Sequence, residues 1–84
     1  MFNSVKEFNI AMYEILIKIR NEENYRDLTK YSDLDLDDAF EKCITYGYVN
    51  GIHRYDRTAS GKLSYDGKPR ISLEGLTFVE NFQS

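Results

Sequence analysis

Gly47 separates two hydrophobic periodicities, and that break constrains the fold of this chain more than any other feature. Before it, Val5, Phe8, Met12, Ile15, Leu16 and Ile19 recur at helical spacing, and Leu36, Ala39, Phe40, Cys43 and Ile44 do so again. After it, Tyr48 to Tyr55 reads YVNGIHRY, rich in β-branched and aromatic residues and poor in helix formers. A helical part must therefore be closed by a strand-bearing part. With 84 residues there is room for a single core, so the whole chain, 1–84, is expected to fold as one domain.

Ser4 with Glu7 three residues later is a capping-box pattern, which predicts a first helix over about 4–21. That helix carries a second apolar stripe, Ile10, Tyr13 and Ile17, and so requires neighbours on several sides or a partner surface. Asn24 caps an expected short second helix with Leu28 and Tyr31 facing inward, and Leu34 plugs the following turn. Asp35 is the expected cap of a third helix, with Asp37 and Asp38 in its first turn beside the positive end of the helix dipole, and Gly47 is its left-handed stop. DRTASGKLSYDG has the composition of a loop, and KPRISL that of a second strand with Pro69 near its start. Ser72 caps a last helix that buries Leu73, Leu76 and Val79 and sets Phe78 and Phe82 one turn apart.

The resulting class is mainly α with a small β-hairpin, an α+β winged helix-turn-helix in the order helix, helix, helix, strand, wing, strand, helix. Leu36-Asp37-Asp38-Ala39-Phe40, Gly47-Tyr48-Val49, Gly51 and Ile71-Ser72-Leu73-Glu74-Gly75-Leu76 together resemble the YjcQ family of small proteins from Gram-positive bacteria and their phages. The resemblance spans roughly residues 12 to 82. It implies the winged-helix fold and a bacterial or prophage setting, and it brings no catalytic residues.

Composition narrows the function. Residues 1 to 50 hold six Lys/Arg against ten Asp/Glu, and the net charge of the chain is -3, a poor balance for phosphate-driven binding. Residues 53 to 70 reverse the sign, with five Lys/Arg against two Asp. The lone Cys43 can make no intramolecular disulfide, which fits a reducing cytoplasm, and Glu7, Glu14 and Lys18 interrupt any signal-peptide reading of the first helix. Asp33, Asp35 and Asp37 match the first acidic spacings of a calcium loop, but Asp38 replaces its glycine and Ile44 its last glutamate. Gly61-Lys62 lacks the first glycine and the hydroxyl of a phosphate loop. Cys43 lies on an inward helical stripe and His53 on a strand among tyrosines, so neither makes a nucleophilic pair. No metal, cofactor or catalytic role is expected.

Three surfaces remain as candidates. The wing offers Arg54, Tyr55, Arg57, Lys62, Tyr65, Lys68 and Arg70, positive charge interleaved with rings. The outer face of the third helix offers Asp37, Asp38, Glu41, Lys42, Thr45 and Tyr46, too acidic to enter a DNA groove easily and expected either to be solvated or to face a basic patch on another protein. Ile10, Tyr13, Ile17, Phe78 and Phe82 form a candidate dimer face. The reading is a non-catalytic, cytoplasmic binding module working through protein contacts, by self-association or docking, without membrane or metal. The alternative is a nucleic-acid-binding regulator that touches DNA mainly through the wing.

Overall fold

The computed structural model describes residues 2–55 and 64–83. The first helix, α1 (Val5–Arg20), starts where the capping box placed it. Ser4 Oγ accepts the Glu7 N–H at 3.1 Å, while the Glu7 carboxylate accepts the N–H of Asn3 at 2.8 Å, one residue earlier than the standard box. The helix ends with Glu22 in the left-handed region at φ 59 and with Glu23 N–H donating back to Lys18 O. Ala11, Met12, Ile15, Leu16 and Ile19 are buried, and α1 packs against each of the other helical segments and the second strand. The second apolar stripe, Ile10, Tyr13 and Ile17, is half-buried.

The expected second helix is reduced to one 3-10 turn, Tyr25–Asp27, capped by Asn24 Oδ1 accepting the Arg26 N–H at 3.0 Å. Leu28 and Tyr31 still face inward, half-buried. The next helix, α2 (Asp33–Thr45), starts three residues earlier than expected, because Ser32 rather than Asp35 supplies the cap, its Oγ accepting the Asp35 N–H at 3.1 Å. Leu34 consequently lies in the first turn and is 56% exposed instead of plugging a turn. At the other end Gly47 adopts φ 76, and Tyr48 N–H donates to Cys43 O at 2.8 Å, which is the closing bond of a left-handed helix stop.

Strands β1 (Val49–Tyr55) and β2 (Ser64–Ile71) form a two-stranded antiparallel sheet. β2 takes in Ser64–Gly67, which composition had assigned to the loop. The register pairs Asn50 with Arg70 and Ile52 with Gly67, so one residue of β1, Gly51, faces two of β2, Lys68 and Pro69. Pro69 sits in this bulge, where its missing N–H costs no ladder bond.

Ser72 joins the two halves. Its hydroxyl accepts the Gly75 N–H at 3.0 Å and donates to Gly47 O, so one side chain caps α3 (Leu73–Gln83) and satisfies a carbonyl just beyond the end of α2. Val79 is buried, whereas Leu73, expected in the core, is 75% exposed, because the first position after the cap points away from the Gly75 and Val79 face. The core is Ala11, Ile15, Leu16, Leu36, Ala39, Phe40, Cys43 and Val79, closed by Tyr25 stacked on Phe40 at 4.6 Å between ring centroids.

Candidate functional site

The helix that presents the acidic face is α2, and its surface differs from the sequence expectation at one decisive residue. Asp37 is 1% exposed and cannot contact a partner. It lies beside Leu36 and Phe40 at the N-terminal half of the helix, where the 3-10 turn packs, and Arg26 Nη2 from that turn reaches its Oδ1 at 2.6 Å. The same guanidinium approaches Asp33 at 3.6 Å and lies over the Tyr25 ring at 5.3 Å. Two of the carboxylates that matched a calcium spacing are therefore held by an arginine. Asp38 remains exposed, Glu41 is half-buried, and Lys42, Thr45 and Tyr46 are exposed, with the Thr45 hydroxyl donating to Glu41 O at 3.0 Å. The outer face is still acidic, though by one charge less.

The hairpin is less open than its composition implied. Tyr65 is not free to stack on a ligand: it is half-buried, its ring 5.2 Å from that of Phe40, because alternation along β2 turns it toward α2. Lys68 Nζ donates to Glu22 Oε1 at 2.9 Å, tying β2 to the end of α1, and this pairing holds the Glu22 carboxyl below its usual range. Arg70 is exposed on β2. Arg57 and Lys62 lie outside the described residues, as do the side chains of Arg54 and Tyr55.

The feature that stands out is a chain of rings across the surface. Tyr46 lies 5.7 Å from Tyr48, Tyr48 stacks on Phe78 at 4.9 Å, Phe78 is 6.0 Å from Phe82, and Phe82 stacks on Tyr13 at 4.5 Å. Tyr46 is 54% and Phe82 38% exposed, with the other three half-buried between them. Of the expected dimer face, Tyr13, Phe78 and Phe82 thus spend one side on each other or on Tyr48, and Ile17 packs against the core. Ile10 is half-buried. What stays open is the outer edge of the strip.

Two shallow grooves meet at the Tyr46–Tyr48 contact. One, of about 370 Å³, is lined by Phe2, Val5, Phe8, Met12, Lys42 and Tyr46. The other, of about 420 Å³, is lined by Tyr48, Leu73, Glu74, Thr77, Phe78 and Asn81. Val5 at 78% exposure and Leu73 at 75% extend the apolar surface beyond the rings. Tyr48, Val5 and Leu73 were not legible as surface residues, since each belongs to an apolar helical or strand pattern that ordinarily marks a core.

Cys43 is fully buried, and desolvation pushes its thiol from 9.0 up to about 12. The thiol should resist iodoacetamide at about pH 8 until the chain unfolds, so that labelling and unfolding follow one denaturant curve; rapid labelling of native protein would contradict this burial. The raised value also fixes a sign. Its stabilising effect is complete below about pH 9, the value in the unfolded chain, and is lost as pH rises toward about 12. Burial first, then the hydrogen bond to Glu14, pushes Tyr31 up to about 12, which adds to the same alkaline loss. His53 is exposed on β1 opposite Asp66, on a different element from Cys43.

The class that fold and surface define is a small α+β domain, three helices and an antiparallel hairpin, bearing an open aromatic strip. Among the described residues no helix is long and apolar enough to cross a membrane, and no group of His, Cys, Asp or Glu is placed to hold a metal ion. Comparison with models of protein families, with curated proteins and with solved structures finds no match to this chain.

Proposed function

We propose that the chain is a non-catalytic winged-helix binding module of YjcQ type, bacterial or prophage in setting and cytoplasmic, that acts by contacting protein. The order of α1, 3-10 turn, α2, hairpin and α3 supports a winged helix in which the turn stands where the second helix would be. The observation that carries the protein-contact reading is the ring sequence Tyr46, Tyr48, Phe78, Phe82 and Tyr13, open along its outer edge. Tyrosine and phenylalanine present large area at small entropic cost, which is why such rings are enriched at interfaces. The acidic remainder of α2, with Asp33 and Asp38 exposed, disfavours a polyanion on the neighbouring face.

The test is a photo-reactive phenylalanine analogue at position 46, irradiated in growing cells. Protein adducts are expected, and Leu73→Glu should weaken them about tenfold or more. Nucleic acid captured at position 46, with no protein adduct, would overturn the reading and favour the basic wing.

A further inference from the structure

The strip carries opposite charges at its two ends. Lys42 lines the groove on one side of the Tyr46–Tyr48 contact, and Glu74 lines the groove on the other. The surface therefore runs from cation through two tyrosines to carboxylate. Both charges are exposed, and among the described residues neither makes an ion pair within the chain. A face with opposite charges at its two ends and an apolar middle is complementary to its own image turned by 180°. That is the requirement of an isologous interface, in which residue i of one copy meets residue j of the other and j meets i.

Resting on the protein-contact reading above, we propose that the occupant of the strip is a second copy of this chain. The two copies form a two-fold dimer with Tyr46 and Tyr48 near the axis, and Lys42 of each copy meets Glu74 of the other. Leu73 of each copy then lies toward the partner's groove lined by Phe2, Val5, Phe8 and Met12, which covers the most exposed apolar side chains of both. A basic peptide is a poorer occupant, since Lys42 would repel it at one end. An acidic segment fails in the same way at Glu74.

Charge reversal tests this arrangement, because the two-fold makes a distinctive pattern. Sedimentation of the intact chain at about 100 μM and low salt should show a dimer. Lys42→Glu alone sets Glu against Glu74 twice per dimer, and Glu74→Lys alone sets Lys against Lys42 twice, so each should raise the dimer dissociation constant about tenfold or more. An equimolar mixture of the two variants should recover the dimer as a heterodimer, since both contacts are then attractive. Circular dichroism of each variant checks that the fold is kept, and raising the salt should shrink all three differences. A monomeric wild-type chain at about 100 μM, or reversals that leave the dimer intact, or no recovery on mixing, overturns the proposal. A monomer that still yields protein adducts at position 46 refutes the second copy alone, whereas the absence of any protein adduct refutes protein contact altogether.

Discussion

Arg26→Ala should be among the most damaging single substitutions in this chain, with an expected loss of about 3–5 kcal/mol. The side chain is 36% exposed, so its removal looks harmless from the surface. What it leaves behind is the Asp37 carboxylate, 1% exposed and held by Arg26 Nη2 at 2.6 Å. A buried carboxylate that loses its arginine keeps its desolvation cost with less to offset it, whereas the arginine can turn to water if the aspartate is lost. Removal of Asp37 should therefore be milder: Asp37→Asn is expected to cost about 1–3 kcal/mol. Combining Arg26→Ala with Asp37→Leu should recover part of the stability, since no carboxylate is then left desolvated. Urea unfolding followed by far-UV circular dichroism measures all three. Equal losses for Arg26→Ala and Asp37→Asn would mean that the pair does not carry the asymmetry its burial implies.

Gly67→Ala is expected to cost about 2–5 kcal/mol, from two causes that neighbouring glycines separate. Gly67 has φ 95, and a Cβ there would sit 2.5 Å from Gly51 O and 3.3 Å from Ile52 Cα. Both obstacles are backbone of the paired strand and cannot move without opening the hairpin. Gly47 shares the positive φ but has open space around it, so Gly47→Ala should cost only about 1–2 kcal/mol, the conformational part. Gly75 lies in α3 close against the Tyr48 carbonyl, with Ile71 Cγ1 2.8 Å from a Cβ position, so Gly75→Ala isolates the steric part at about 1–3 kcal/mol. Thermal unfolding of the three variants should rank them Gly67 worst and Gly47 mildest. If Gly47→Ala proves as harmful as Gly67→Ala, the close approach of the strands contributes nothing.

Local chemistry made much of the fold legible. Ser4, Asn24, Gly47 and Ser72 do at their positions what their side chains, or in Gly47 the lack of one, favour in any chain, because caps and stops depend on a few adjacent backbone groups. The inward stripes of α1 and α2 were visible for a similar reason: a 3.6-residue period places Ile15, Leu16, Phe40 and Cys43 on a face whatever that face meets. The errors cluster where two segments compete. Ser32 and Asp35 are both good caps, and Ser32 caps the helix at the end of the short connection from the 3-10 turn. The second helix, with few apolar positions and a good competing turn at Asn24, collapsed to three residues.

The sites were less legible than the fold, and Asp37 shows the reason. Periodicity ranks positions around α2 but cannot say how wide the covered sector is; that width was set when the 3-10 turn laid Tyr25 and Arg26 over the helix. Tyr65 turned inward because the bulge at Gly51 fixes which residues of β2 face α2, and its register involves residues far apart in sequence. The aromatic strip joins Tyr13, Tyr46, Tyr48, Phe78 and Phe82 from across the chain, and no spacing rule links them.

By itself the sequence determined where α1 and α3 begin, where α2 stops, which stripes are apolar and that strands follow Gly47, since these depend on interactions within a few residues. Only the tertiary structure decided that Asp37 is a buried partner of Arg26, that Tyr65 packs against the core and that five rings meet in one open strip. Burial and contact are properties of distant segments brought together, and their energies arise from water excluded between those segments, which no local pattern contains.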